Sequence, residues 1–363
     1  SEYFGHQPAD GSGDVHFHLD PLWASPSIDA IAIDCYWPLA DWRDGDAHLD
    51  RLAGARSVYD LAYLKSNLAD GEGHAWYYAS APNREAQVRT QISDGVGKPW
   101  VFRYKDIRSW WLNLHYDRPG GVESSTPTAW VPQSKPFWLT ELGCPAVDNG
   151  ANQPNVVVDP KSAESKLPYF SRGLRDDLMQ RRYLQAFLEG FDPAHPGHVA
   201  GSNPTSAVYG APMLDLAHVH VYAWDARPFP AFPTATAWGD GASWRLGHWL
   251  NGRIASQSLS AVVADILAGY GFTDCDVSAL DGVVAGYVIE RAMSAREALQ
   301  PLELACFFDS LESDGRIRLR PRGAASPAVT LAPDQLVETA AGADLLALTR
   351  AQETDLPAAA RRA

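Results

Sequence analysis

The feature that most constrains the fold is a repeated alternation of short apolar runs with longer segments of helical periodicity. Each apolar run has about the length of a strand and ends in polar or aromatic residues. These runs lie at residues 28–34, 99–104, 136–141 and 216–222. Helices are predicted between them, at residues 83–92 and 174–190. Alternating strands and helices form parallel β/α units, so the predicted class is α/β, arranged as a barrel or as an open doubly wound sheet.

A change in composition near residue 250 marks a domain boundary. All 13 tryptophans precede this point, whereas the sequence that follows is rich in Ala, Leu and Val. We therefore expect one domain over residues 1–250 and a second over residues 254–363, joined at residues 250–253.

Local signals in the second domain predict two helices and a hairpin. Residues 258–269 carry an apolar helical face. Ser294 and Glu297 have the spacing of a capping box, which predicts a helix that runs to about Cys306. A turn at residues 313–315 separates two strand-like runs, as in a β-hairpin. These elements make a small α+β module, and we expect the polypeptide to continue beyond it.

Composition and charge exclude several classes of function. No run reaches the roughly 18 consecutive apolar residues that span a bilayer. The net charge is −14 and the 30 basic residues form no extended run, so we expect no direct nucleic-acid binding by this segment. The four cysteines show no C-x-x-C spacing, which indicates buried free thiols in a protein folded in a reducing cytoplasm. The chain starts without Met or a signal-peptide pattern, and we expect further residues upstream.

The strongest chemical signal is the segment at residues 138–145, Trp-Leu-Thr-Glu-Leu-Gly-Cys-Pro. A predicted strand ends at Glu141, and Gly143 and Pro145 then turn the chain into a loop. In a β/α barrel the carboxyl ends of the strands form the active face, so Glu141 should point into a cleft. The segment resembles the strand-seven nucleophile motif of the large clan of retaining barrel glycosidases. The alternative is a Glu that forms hydrogen bonds at the barrel rim without doing chemistry.

A retaining glycosidase needs a second carboxyl group about 5–5.5 Å from the nucleophile. In the clan this acid/base residue ends the fourth strand. If Glu141 ends strand seven, the run at residues 99–104 is strand six and the run at residues 28–34 is strand five. The first residues of the chain then lie at the end of strand four, so Glu2 is the candidate for the acid/base residue. Asp34 is the rival, because it also ends a predicted strand. The Asn-Glu pair usual in the clan does not occur at Glu2.

Aromatic residues near these strand ends are candidates for substrate binding, because aromatic rings stack on sugar faces, although large rings also fill cores. In the clan, the ring of a Trp after the last strand forms the floor of the sugar subsite beside the scissile bond. Trp224 has this position. Tyr104, after the second run, would line the same opening or pack as a surface loop. The full set is Tyr36, Trp37, Tyr104, Trp138, Tyr222 and Trp224.

Two pairs of histidines could bind a metal, since each lies on one side of an extended segment. The pairs are His16 with His18 and His218 with His220. Neither has a third histidine or a carboxylate pair at suggestive spacing, so we expect no metal site. No G-x-G-x-x-G, P-loop or G-x-S-x-G motif occurs, and no cofactor is expected.

The chain resembles the host-specificity proteins of gene transfer agents, which are large tail-hub proteins with a glycoside-hydrolase-like domain. The resemblance rests on residues 2–8, 17–23, 33–39 and 138–145 in the first domain, and on residues 276–280, 286–289 and 293–299 in the second. It implies the C-terminal half of a (β/α)8 TIM barrel of glycoside-hydrolase type, followed by a phage-tail hub module.

The resemblance also implies a function in the distal tail of a phage-like particle that is assembled in the bacterial cytoplasm. The hub module would join a homo-oligomeric ring, a trimer, with other tail and baseplate proteins. The barrel would face the recipient envelope at the tail tip, with cell-surface glycan or peptidoglycan as its partner. Three hypotheses follow. The chain is a structural component of the tail hub whose barrel serves as a binding domain or as a spacer, or it is an active retaining glycosidase. The third hypothesis is an autonomous bacterial glycosidase with an unrelated C-terminal domain.

Overall fold

The computed structural model describes residues 3–159, 161–222, 227, 231–246, 257–284 and 286–323, together with residues 329, 331, 332 and 335. The helices are α1 (Asp20–Trp23), α2 (Leu49–Leu52), α3 (Leu61–Ser66), α4 (Ala81–Glu85), α5 (Ile107–Leu112), α6 (Asp177–Phe191), α7 (Ala231–Thr234), α8 (Leu259–Gly269) and α9 (Ala295–Cys306). The strands are β1 (Ile31–Cys35), β2 (Trp76–Tyr77), β3 (Thr90–Gln91), β4 (Phe137–Leu142), β5 (Leu214–Val221), β6 (Gln257–Ser258), β7 (Cys275–Asp276), β8 (Val283–Val284), β9 (Phe308–Ser313) and β10 (Arg316–Pro321). Short 3-10 helices lie at Pro99–Phe102, Pro119–Gly121, Gly150–Asn152 and Gly241–Leu246.

A parallel three-stranded sheet in the order β1-β4-β5 forms the centre of the first domain. Side chains alternate between two faces of a strand, and the buried positions of β1 and β4 are apolar. They are Ile31, Ile33, Cys35, Phe137, Leu139 and Leu142. Helix α6 adds Tyr183 and Phe187 to the same core, and the Phe187 ring contacts that of Trp37. The predicted strands at residues 28–34, 136–141 and 216–222 and the helix at residues 174–190 are confirmed.

The strand predicted at residues 99–104 is wrong. Pro99–Phe102 forms a 3-10 helix instead. Proline fits the first turn of a helix, where its fixed φ is suitable and its missing N–H is not needed. The adjacent residues Trp100 and Val101 are both buried, which the strict alternation of a half-buried strand does not allow.

The helix predicted at residues 83–92 is also wrong in its extent. Helix α4 begins earlier, after the N-cap Ser80, and ends at Glu85. Gln87 then adopts a positive φ of 51°, which no helix accommodates, and the chain enters β3.

The α/β class is confirmed, but the described residues contain no closed barrel. Their one parallel sheet has three strands, and the other described sheets contain the antiparallel pairs β2-β3, β6-β8 and β9-β10. Among these same residues, no helix is both long and apolar enough to cross a membrane.

The second domain has its own hydrophobic core. Helix α8 packs against α9 and against β6 and β8, and α9 packs against β9. The buried side chains of this core include Val263 of α8, Leu299 of α9 and Leu319 of β10. The Ser294 hydroxyl caps α9 by accepting from the Glu297 N–H, and the Ser294 N–H donates to the Glu297 carboxylate, which completes the capping box. The predicted helices and hairpin of this module are confirmed. The expected junction at residues 250–253 lies outside the described residues, so the domain bounds remain predictions.

Candidate functional site

A β-bulge in β4 determines where Glu141 points. Ile33 of β1 pairs with Leu139 of β4, but the next residue, Asp34, pairs with Glu141. Thr140 is therefore an extra residue in β4, and such an insertion re-aims neighbouring side chains. Leu139 and Leu142 remain buried, while Thr140 and Glu141 are both more exposed. The bulge thus releases Glu141 from the buried side of the strand.

Glu141 lies in a cleft of about 230 Å³ at the carboxyl ends of the parallel strands. The residues that line the cleft are Tyr36, Glu141, Cys144, Pro154, Asn155, Val157 and Tyr222. Its volume is below the range of about 300–1,000 Å³ typical of sites for drug-sized ligands. The cleft therefore encloses a small ligand or only part of a larger one.

Tyr36 holds the Glu141 carboxylate in place. The Tyr36 hydroxyl donates a hydrogen bond of 2.5 Å to Oε2 of Glu141. Burial, and next the hydrogen bond to Glu141, raise the pKa of Tyr36 far above its usual value. The phenol therefore stays protonated and remains a donor. Its ring meets that of Tyr222 edge to face, with centroids 6.1 Å apart.

Asp34 lies beside Glu141 on the neighbouring strand. The two residues are register partners in the parallel pair β1-β4. Oδ1 of Asp34 accepts a hydrogen bond of 2.9 Å from the Thr140 hydroxyl, so the extra residue of the bulge also orients the second carboxylate. Asp34 is exposed to solvent and does not line the cleft itself.

A close backbone approach fixes the far wall of the cleft. The Tyr222 N–H donates to the carbonyl of Leu142 at 3.0 Å. A Cβ on the next residue, Gly143, would lie 2.3 Å from the Tyr222 carbonyl oxygen. Only glycine therefore lets the chain that leaves β4 run this close to Tyr222.

Cys144 contributes a buried wall and no nucleophile. Its side chain is 4% exposed, and burial raises the pKa of its thiol well above the usual value. The thiolate is the reactive form of cysteine. Cysteine chemistry at this cleft is therefore disfavoured.

The structure brings some of the predicted site residues together and separates others. Glu141, Tyr36 and Tyr222 share the cleft, with Asp34 beside it. Trp37 is 3% exposed and packs into the core against α6. Tyr104 packs against Phe4 and Gly73, and Trp138 stacks on His218 with ring centroids 3.9 Å apart. Glu2 and Trp224 lie outside the described residues.

Four residues of the cleft were not predicted as site residues: Cys144, which lies within the segment at residues 138–145, and three residues outside it. Pro154, Asn155 and Val157 come from the loop between β4 and α6. They show no motif and follow no strand directly, so no local signal identified them. Asn155 adds an amide, which can both donate and accept hydrogen bonds.

The histidine pairs do not form a metal site in the described part of the chain. An antiparallel bridge joins His6 to His16, and the rings of both lie near His18, at centroid distances of 5.3 and 5.0 Å. No group of three or more His, Cys, Asp or Glu residues within the described ranges is arranged to hold a metal ion.

Comparison with known proteins places these features in a family. Residues 1–233 match a family model described as GTA TIM-barrel-like domain, where GTA denotes gene transfer agent, and residues 294–362 match one described as Putative phage tail protein. The two matches define a phage-tail type of protein with an N-terminal β/α domain. More particularly, the chain belongs to the GTA TIM-barrel-like family, whose match covers well over half of its length. The resemblance seen in the sequence motifs is thereby confirmed.

One solved structure with a sequence match is described as "Virion of native gene transfer agent (GTA) particle". A chain of that particle is 41% identical over an alignment that covers 26% of this chain and 22% of that one, with a TM-score of 0.22. The chain therefore matches about a fifth of the length of that relative. No curated protein matches the chain.

Proposed function

We propose that this chain is part of the distal tail hub or baseplate of a gene-transfer-agent particle, and that the Glu141 cleft binds glycan of the recipient envelope. The family match and the tail-protein match support a structural component of a particle. The position at the tail tip, the assembly of a trimeric ring with other tail and baseplate proteins, and the glycan or peptidoglycan partner belong to the proposal.

One observation carries the glycan-binding proposal: Glu141 is held by Tyr36 in a cleft at the carboxyl ends of the parallel strands. A carboxylate accepts hydrogen bonds from sugar hydroxyls, and charge-assisted bonds of this kind are the stronger ones. Tyr222 is 39% exposed and offers an aromatic ring against which a sugar can pack. Asn155 supplies a further donor and acceptor.

A second candidate function is retaining glycoside hydrolysis, and the pairing of Asp34 with Glu141 favours it. Adjacent strands lie about 4.8 Å apart, so the carboxyl groups of two register partners can approach the separation of about 5–5.5 Å used by retaining enzymes. In this mechanism Glu141 attacks the anomeric carbon from within the cleft, and Asp34, which lies beside the cleft, reaches the leaving oxygen from the rim, protonates it and then takes a proton from the attacking water. Glu2 is the other candidate for the acid.

The test uses particles that carry variants of this chain. Glu141→Gln keeps the shape of the side chain but removes its charge, so particles should assemble normally and adsorb to recipient envelopes about tenfold less. The matched control is Glu164→Gln, since Glu164 is exposed and lies outside the cleft.

Deletion of residues 254–363 should abolish tails. Tails that form without that segment would contradict the hub assignment, and unchanged adsorption of Glu141→Gln would contradict glycan binding at this cleft.

Release of reducing ends distinguishes the two functions. Purified envelope polysaccharide and peptidoglycan are incubated with the protein, and new reducing ends are measured. A binding site leaves the glycan intact, whereas a glycosidase releases ends at a rate that both Glu141→Gln and Asp34→Asn lower by orders of magnitude.

A further inference from the structure

A second cavity, of about 330 Å³, shares no lining residue with the Glu141 cleft. Its volume is within the range of small-molecule sites. One part of its wall is apolar and includes Leu68, Ile107, Phe191 and Val199. The other part is polar and includes His74, Arg103, Lys105, Asp106, Arg108 and Ser109. An apolar wall with a few convergent polar groups is typical of a ligand site.

The charges that line this cavity are mainly positive. Arg103, Lys105 and Arg108 line it together with a single carboxylate, that of Asp106. That carboxylate is already engaged, since it caps α5 by accepting from the Ser109 N–H at 3.0 Å and also accepts from Arg103 at 3.4 Å. In a chain with a net charge of −14, the two guanidinium groups of Arg103 and Arg108 outnumber this one engaged carboxylate and make the cavity locally positive.

One donor at this cavity has no protein acceptor. The Nε–H of Arg103 is buried and has no hydrogen-bond partner. Lys105 is 2% exposed, and its Nζ donates to the carbonyls of Pro38 at 2.6 Å and Asp70 at 2.9 Å. A buried N–H without a partner is unfavourable, and an acceptor in the cavity would satisfy the Nε–H of Arg103.

The C-terminal end of α6 also borders the cavity, and its carbonyls would repel an anion if they were free. The last two of them already accept hydrogen bonds. The Gly190 carbonyl accepts from the Val199 N–H at 3.0 Å and from the Ser202 hydroxyl at 2.8 Å. The Phe191 carbonyl accepts from the Asn203 amide at 3.0 Å. The negative end of the helix is thus compensated by donors of the protein.

We propose that this cavity binds an oxyanion, a carboxylate or phosphate group on a small ligand, at a site separate from the Glu141 cleft. The guanidinium group of Arg103 supplies planar donors that match oxyanion geometry, and Arg108 adds charge from the exposed rim. The apolar wall holds the body of the ligand. The site does not depend on the function proposed for Glu141.

Titrations of the complete chain at constant ionic strength test the proposal. The probes are inorganic phosphate, glucuronate and uncharged glucose, followed by amide NMR shifts of lining residues such as Ser109 and Gly201. We expect saturable shifts with phosphate or glucuronate and none with glucose. Arg103→Gln should weaken binding about tenfold or more. Arg108→Gln should weaken it several-fold without a risk to folding, because Arg108 is exposed.

Arg296→Gln is the matched control, since Arg296 is an exposed arginine of the second domain, and it should bind like the parent chain. A preference for phosphate over glucuronate would identify a phosphoryl ligand, and the reverse would identify an acidic sugar or another carboxylate. The proposal is overturned if neither oxyanion gives saturable shifts, if glucose binds as well as glucuronate, or if Arg103→Gln and Arg108→Gln both bind like Arg296→Gln.

Discussion

Lys105 is a charged side chain in an unusual position, because its ammonium is almost fully buried without a paired carboxylate in hydrogen-bond contact. Burial lowers its pKa to about 7, and the more distant carboxylates of Glu72 and Asp70 oppose this only in part. In the unfolded chain a lysine titrates near 10.4. The unfolded chain therefore carries a proton above pH 7 that the folded chain has lost.

This difference predicts how the free energy of unfolding depends on pH. The free energy of unfolding rises with pH wherever the unfolded state binds more protons than the folded state. Above pH 7, Lys105 should therefore raise the free energy of unfolding by up to about 1.4 kcal/mol per pH unit. Well below pH 7 it should have no effect on this slope. The pH range in which this effect can be measured runs from about pH 7 to about pH 8.5. Near pH 8.5 the cysteines of the unfolded chain ionise. Burial raises the pKa values of Cys35 and Cys144 in the folded chain, so these two residues lower the free energy of unfolding as the pH rises further. Lys105→Met should remove the increase.

Urea denaturation at several pH values within this window measures the effect. Lys161→Met is the control, because Lys161 is exposed, and it should retain the slope of the parent chain. A slope that is equal in Lys105→Met and in the parent would show that the ammonium does not titrate near neutrality. Lys105→Met also leaves the carbonyls of Pro38 and Asp70 without their donor, so it should be less stable at the upper end of the window.

At the scale of elements, the exit from β4 determines the shape of the cleft. Gly143→Ala would bring a Cβ to 2.3 Å from the Tyr222 carbonyl, so the ends of β4 and β5 must separate. We expect a loss of about 1–3 kcal/mol in stability and weaker glycan binding, because Tyr222 moves away from Glu141. Gly239→Ala is the control, since its Cβ would meet no atom within 4 Å. Urea midpoints and adsorption measure the two effects, and no change in either would contradict the steric argument.

The elements that sequence patterns predicted are those whose signals are local. The Ser294 capping box and the periodicity of residues 258–269 lie within the helices they specify, and both helices form as expected. Glu141 was predicted because it ends a strand, which is also a local property. The bulge at Thr140 is different, since it depends on the register with β1. The pairing of Asp34 with Glu141 could not be predicted for the same reason.

Aromatic residues show the same limit. Trp37 follows β1 directly and was expected at the cleft, but the direction of its side chain is set by α6, which lies far along the chain. The run at residues 99–104 has the composition of a strand, yet Pro99 and the burial of consecutive side chains produce a helical turn. In both cases tertiary packing overrides the local pattern.

At the scale of the whole molecule, the described residues form two hydrophobic cores that share no side chain. One core contains Phe187 and other residues from Tyr3 to Leu214, and the second contains Val263 and other residues from Leu259 to Leu319. A hydrogen bond from the exposed Arg56 to the carbonyl of Ser278 joins the two parts. An exposed contact of this kind adds little stability, so the two cores should unfold as separate cooperative units.

Tryptophan fluorescence and far-UV circular dichroism test this independence. All 13 tryptophans precede residue 250, so fluorescence reports no residue of the second core. Val263→Ala leaves a cavity in the second core and should cost roughly 1–3 kcal/mol. It should shift part of the dichroism transition to lower temperature and leave the fluorescence transition in place. Phe187→Leu should do the reverse and move the fluorescence transition. If each variant moved both signals together, the two cores would form one cooperative unit and the division of the chain into two domains would be wrong.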